Sequence, residues 1–320
     1  MKISFVTGLM VFTLFFSVSC SKHIEETSDD TYLALKNPQG RSLLGKELII
    51  PDRNPESFKR LKDNLDAAIA NYEEEASEMN TIWVGRRYAY LSDYLKAVDI
   101  FSKGLEKFPN SYKLYRHRGH RYISLRDFDS AIADYEKAYD LMPKDTLEIE
   151  PDGVPNKLNV PLSNTQFNIL YHYGLAHYLN GDFEKAEEIY TELLKNYCNN
   201  PDLYVATADW LYMTLRRQNK VETAQSILDT ILPDMEIIEN DSYFRRLNMY
   251  KGALPIEELF NPTGDDAALS LATQGYGMGN WYLYQGDTGK AKEIFEQVVE
   301  GSSWAAFGYI ATEADLARMK

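Results

Sequence analysis

YKLYRHRGHRYISLRDFDSAIADYEKAYDLMP, residues 112–143, has a copy of itself 34 residues upstream. Residues 78–109 align with it without a gap: Gly85 falls on Gly119, Tyr88 on Tyr122, Ala97 on Ala131, Phe101 on Tyr135, Gly104 on Ala138 and Pro109 on Pro143. Small residues recur where two helices must approach closely, rings recur where the gap between them must be filled, and proline recurs where the second helix must stop. Such a unit is a helix-turn-helix hairpin, and a fixed period marks a stacked array of them. No single hairpin can bury its apolar face alone, so the copies must stack to build a core.

Working outward, a third copy carries Gly174, Ala186 and Tyr190, and a late one carries Gly279, Tyr282, Ala291 and Phe295. The turns repeat as well: SDYLKA at 92–97, RDFDSA at 126–131, GDFEKA at 181–186 and GDTGKA at 286–291. Asp93, Asp127, Asp182 and Asp287 stand where a carboxylate accepts from the free N–H groups that open the second helix, which makes them helix caps rather than a set of acids with a chemical task. Residues 205–238 form a degenerate copy, with Tyr212 at the glycine position and Leu211, Leu215, Ala224, Leu228 and Ile231 at helical spacing. Upstream, Asn54-Pro55 followed by Phe58, Leu61, Leu65, Ala68, Ile69 and Tyr72 predicts a capped amphipathic helix closing the N-terminal end. Trp304, Phe307, Ile310 and Leu316 predict a last helix. Turn chemistry without a helical stripe marks an inserted loop at 144–166 and a break at 252–268.

The period and the glycine, alanine and proline positions resemble the tetratricopeptide repeat. The resemblance implies an all-α, right-handed superhelix over residues 54–320, whose first helices line a concave groove. It also implies which positions of each copy face that groove. These are Arg86 and Tyr90 in the first copy and Lys113, Arg116 and His120 in the second, while the third adds Asn168, Tyr171, Leu175, Tyr178 and Leu179. From Tyr112 to Arg126 there are five basic residues and no acid, inside a chain whose net charge is -14. An acidic group on a peptide or protein partner is favoured there. The competing reading pairs these cations with acids of the second helix, Asp127, Asp129 and Asp134, or with a neighbouring hairpin. Arg118 holds a position that normally packs between the two helices and so needs an acid. The nearest unassigned acids are Glu148, Glu150 and Asp152, so the inserted loop is expected to fold back over the second hairpin and be held by Arg118.

At the N-terminus, Lys2 precedes an apolar run from Ile3 to Phe16, then Ser17-Val18-Ser19 and Cys20. This reads as a signal peptide over residues 1–19, its run too short to span a bilayer comfortably. The cysteine after small residues resembles the lipobox of bacterial lipoproteins, which implies acylation of Cys20 and attachment to the cell envelope, with an outer-membrane location expected. Polar residues 20–53 read as a tether. Cleavage would leave Cys198 as a free thiol and no disulfide.

The excess of 48 acidic over 34 basic residues opposes a phosphate backbone, so no nucleic-acid partner is expected. His117 with His120 and His172 with His177 lack the company of a metal motif, and neither a metal nor a cofactor is expected. No nucleophile motif, P-loop or dinucleotide fingerprint points to an enzyme. The function expected is a membrane-anchored scaffold or adaptor that takes a protein or peptide in its groove. The alternative is capture of a glycan or small ligand by Tyr90, Tyr171 and Tyr178.

Overall fold

The structure is a computed structural model and describes residues 37–50, 52–153, 155–259 and 267–320. The expected signal peptide and Cys20 lie outside these residues. The described residues belong to one compact unit, Leu35–Lys320.

Fourteen helices occur among the described residues, and the only β-pairing is two isolated bridges, Arg41 with Glu47 and Ile149 with Asn164. An entry helix, α1 (Pro55–Glu74), precedes three hairpins: α2 (Glu78–Tyr90) with α3 (Tyr94–Lys107), α4 (Tyr112–Leu125) with α5 (Phe128–Leu141), and α6 (Thr165–Asn180) with α7 (Phe183–Asn196). The degenerate hairpin is α8 (Pro201–Arg217) with α9 (Val221–Asp229), starting four residues before its expected boundary. Then come α10 (Asp241–Tyr250), short α11 (Ile256–Leu259), the last hairpin α12 (Ala267–Tyr284) with α13 (Thr288–Glu300), and the final helix α14 (Phe307–Arg318). Helix α10 was not expected, because its few apolar positions follow no repeat register.

Each hairpin is built by the same local chemistry. Asp93, Asp127, Asp182 and Asp287 accept from the backbone N–H of Lys96, Ser130, Lys185 and Lys290, as the caps expected of them. The residue before each cap is left-handed: Ser92, Arg126, Gly181 and Gly286 have φ between 66° and 90°. In the degenerate hairpin Asn219 takes that conformation, but Lys220 follows it and makes no cap. Asn54 caps α1 ahead of Pro55, as predicted.

Between the paired helices a ring lies against a glycine. A Cβ added at Gly85 would stand 2.3 Å from Phe101, at Gly119 3.0 Å from Tyr135, at Gly174 2.8 Å from Tyr190, and at Gly279 2.4 Å from Phe295. All four rings are 0–1% exposed, and burying each of the two phenylalanines contributes about 2–3 kcal/mol. The degenerate hairpin exchanges the sizes: the corresponding positions hold Tyr212 and Leu228, both buried.

The stack also closes upon its own N-terminal segment. Residues 37–50, expected within the tether, pack into the body instead, with Leu48 and Ile50 buried. Gln39 accepts from the Leu95 N–H, Lys46 donates to the Val299 carbonyl, and the Trp304 indole donates to the Ile49 carbonyl. Arg126, at the turn of the second hairpin, meets Glu313 on α14 with two hydrogen bonds of 2.9 and 3.0 Å, and both side chains are at most 2% exposed. Its remaining donors reach the carbonyls of Ser124 and Trp304, so the buried pair is fully satisfied.

The glycine contacts set an expectation. Gly85→Val should lower stability by about 1–3 kcal/mol through overpacking against Phe101, as read from urea unfolding midpoints. Gly289→Ala, whose added Cβ finds nothing nearer than Asp287 at 3.7 Å, should leave stability unchanged or slightly raised.

Candidate functional site

Four of the first helices, α2, α4, α8 and α12, border with α10 and α14 an open-mouthed cavity of about 730 Å³. Tyr90 of α2 and His120 of α4 line it, as do Tyr243 of α10 and Phe307 of α14. A smaller neighbouring cavity of about 140 Å³ is lined by Arg86, Tyr90, Arg116, His120 and Glu150. The ten residues expected to face a groove therefore divide into three groups.

Lys113, Arg116 and Arg86 are covered by the inserted loop. Lys113 pairs with Glu148, Arg116 with Glu150 at 3.0 Å, and Arg86 donates to the Pro151 carbonyl at 2.8 Å. Burial raises the Glu148 carboxyl, but hydrogen bonds from Lys113 and Tyr112 outweigh this and hold it below its ordinary value. The loop does fold back over the second hairpin, but Arg118 is not what holds it. Arg118 instead makes a bidentate pair with Asp134 on α5, at 2.8 and 2.7 Å, and donates to Ser102. The pairing has a simple cause, since a guanidinium between two helices reaches an acid of its own hairpin before it reaches a loop.

Tyr171 and Tyr178 form the second group, and they offer no ring face to a sugar. Tyr171 is 5% exposed, donates to the Tyr243 hydroxyl and accepts from the Trp210 indole. Tyr178 is fully buried between Tyr276 and Asn280, whose polar atoms lie 2.6 and 3.0 Å from its hydroxyl. Asn168, Leu175 and Leu179 are buried too.

Tyr90 and His120 remain in contact with open space. Around them sequence reasoning missed Arg53, Ser92, Arg121, Asn240 and Phe307, which come from the segment before α1, from the α2–α3 turn, from α4 and from the C-terminal part of the chain. Arg121 was visible within the basic run, but its position in the copy gave no reason to choose it. Its guanidinium lies over the Tyr94 ring at 5.1 Å, and among the described residues it has no carboxylate partner. Arg246, on the opposite wall, is paired with Asp209 and donates to the Thr273 carbonyl. The cavity thus presents guanidinium, hydroxyl and amide groups beside an apolar wall, which is the chemistry of binding.

Two family models described as tetratricopeptide repeat match residues 112–145, 169–197 and 275–300. The chain carries tetratricopeptide repeats at these positions. Tetratricopeptide repeat protein 12 of Mus musculus is 25% identical over 205 residues, which are 59% of this chain and 25% of that protein, so the match spans a quarter of the relative's length. The solved structure of a tetratricopeptide repeat protein from Parabacteroides merdae ATCC 43184 covers 81% of this chain and 93% of its own, at 14% identity and a TM-score of 0.49. YrrB, described as a TPR protein with an unusual peptide-binding site, covers 74% and 92%, at 14% identity and a TM-score of 0.41.

Within this repeat array His117 and His120 line the cavities, and His172 packs against His120. The His120 and His172 rings are 4.4 Å apart, and Phe307 touches both. Among the described residues no three His, Cys, Asp or Glu side chains are arranged to hold a metal ion. His172 is buried, its Nδ1–H donating to the Asn168 carbonyl. Burial and then the Arg116 charge push its pKa down to about 3. His117 and His120 are also held well below 6.5, by desolvation first and then by Arg116 and Arg121 respectively. His177, bonded to Asp182 on the far side of α6, is lowered by burial against the pull of that carboxylate. Burial likewise pushes the Cys198 thiol up to about 12, which makes it unreactive.

These shifts fix a pH dependence. In the unfolded chain an imidazole takes its proton near 6.5, whereas folded His172 does so only near 3. Between those values the unfolded state binds more protons, so stability falls as pH falls, by about 1.4 kcal/mol per pH unit for each such histidine. Urea midpoints measured from about pH 7 to about pH 4 should decline steeply. His172→Gln should show a shallower slope by about one proton.

Proposed function

We propose that this chain is a lipid-anchored scaffold of a bacterial cell envelope that binds a protein or peptide partner on its concave face. The observation that carries the reading is the cavity of about 730 Å³, which α2, α4, α8, α10, α12 and α14 all line. Convergence of side chains from so many helices upon one space is the arrangement a repeat array offers a partner. Binding rather than catalysis fits a site of fixed donors and apolar surface. The lipid anchor rests on the run before Cys20 and on the cysteine itself, and several acyl chains would give stable attachment.

One feature favours a second reading. The cavity volume falls within the range of small-molecule sites, so capture of a small ligand is supported by volume. The ring platform for a glycan is not, because Tyr171 and Tyr178 are buried. In both readings the ligand meets Tyr90 and His120.

The test of binding is capture from solubilised envelopes by the full chain. Ser270→Trp, which places a large ring in the cavity, should lose the partner, while Lys103→Glu with Lys137→Glu on exposed second-helix positions should keep it. Retention by all three proteins would put binding elsewhere on the chain. For the anchor, a fatty-acid probe fed to cells should label the wild-type chain and leave Cys20→Ser unlabelled and soluble. Labelling that persists in that variant would remove the lipoprotein reading.

A further inference from the structure

Most cations on this face already have an acid. Arg116, Arg118, Arg126 and Arg246 each hold a carboxylate oxygen within 3.0 Å. Arg121 and Arg53, which both line the large cavity, have no carboxylate partner among the described residues. Arg53 spends one donor on Ser92 Oγ at 2.7 Å, while its Nε is buried and meets no acceptor. Tyr94 lies beside both, its ring under the Arg121 guanidinium. A buried guanidinium donor without an acceptor costs roughly 1–3 kcal/mol; Nε of Arg116 and of Arg216 are also buried without one, but of the three arginines Arg53 alone lines the large cavity, where a ligand can supply the acceptor.

We propose that this cavity binds a carboxylate group through Arg121 and Arg53, with the apolar part of the ligand against Phe307, Ala305 and Leu269. The proposal rests on the reading of the concave face as the binding face, and it names the chemistry taken there.

Charge and shape select this class of ligand. Three guanidiniums line the cavity; Arg246 is paired with Asp209, and the lining holds one carboxylate, Glu239, which itself accepts from Asn156. One positive charge is left in excess, enough for a monoanion and too little for a phosphate dianion in a chain of net charge -14. A planar guanidinium matches the two oxygens of a carboxylate. The cavity volume of about 730 Å³ lies within the range for small ligands, and it leaves room for an apolar group behind the acid. A free organic acid and the C-terminal end of a peptide share this chemistry.

The experiment uses the full chain in detergent and reads binding by ligand-observed NMR. The probes are 3-phenylpropionate, its amide, an N-acetylated Ala-Ala-Phe peptide as acid and as amide, and inorganic phosphate. At least one acid should bind, its amide at least tenfold more weakly. Arg121→Gln should weaken the acid at least tenfold, and Arg121→Lys should retain part of the affinity. Binding of the small acid alone identifies a free organic acid, and binding of the peptide acid alone identifies a chain end. Because Arg121 sits within a helix, Arg53→Gln in the segment before α1 serves as a second variant, expected to weaken the acid while circular dichroism stays helical. Equal binding of acid and amide, unchanged binding in folded Arg121→Gln and Arg53→Gln, or phosphate binding tighter than either acid would overturn the proposal. An envelope partner captured equally by wild type and Arg121→Gln would leave the scaffold reading standing and remove this one.

Discussion

A ring laid against a glycine is the contact on which the repeat array depends. Phe101, Tyr135, Tyr190 and Phe295 each take a space that any side chain on the facing helix would fill. The distance between the paired helices is thereby set by the thickness of one ring, and every later feature inherits that spacing. Capping aspartates and left-handed turn residues orient the second helix, but they would serve equally well at a wider separation. The degenerate hairpin keeps the rule by inverting it, with Tyr212 on the first helix and Leu228 on the second. Total volume at the crossing matters more than which helix supplies it.

Local chemistry made most of this architecture readable from the residues alone. The period, the Gly–ring pairs, the aspartate caps and Asn54-Pro55 all act within about one hairpin, so their spacing along the chain is their spacing in the fold. What escaped was non-local. The packing of residues 37–50 against Leu95, Val299 and Trp304, the Arg126–Glu313 pair and helix α10 join segments with no common register. Of the expected site, the basic face was legible as a cluster, but its occupancy was not. Lys113 and Arg116 are neutralised by Glu148 and Glu150 of the inserted loop, while Arg118 is neutralised within its own hairpin. Tyr171 and Tyr178 stand at groove positions by their place in the copy, yet α8, α10 and α12 supply hydroxyl, indole and amide partners that bury them.

The electrostatics of the concave face follow from this pairing. A run of five basic residues would by itself raise a strong positive field inside an acidic chain. Loop and helix carboxylates cancel that field nearly residue by residue, and the imidazoles beside it stay neutral because burial and the neighbouring guanidiniums both oppose a further proton. What is left is local: a guanidinium over Tyr94 with open space in front of it.

The link between Arg126 and Glu313 gives this array a fixed count. In an open stack one more hairpin adds one more nearest-neighbour interface and disturbs nothing at a distance. Here a duplicated unit between α5 and α14 would carry Glu313 away from the second turn, leaving two buried charges unpaired at a cost of several kcal/mol. Lengthening by duplication, the usual route by which repeat arrays diverge, is therefore closed to this chain while the link remains. Change in length is left to the loops, such as the segment at 144–166, whose growth would leave that link in place.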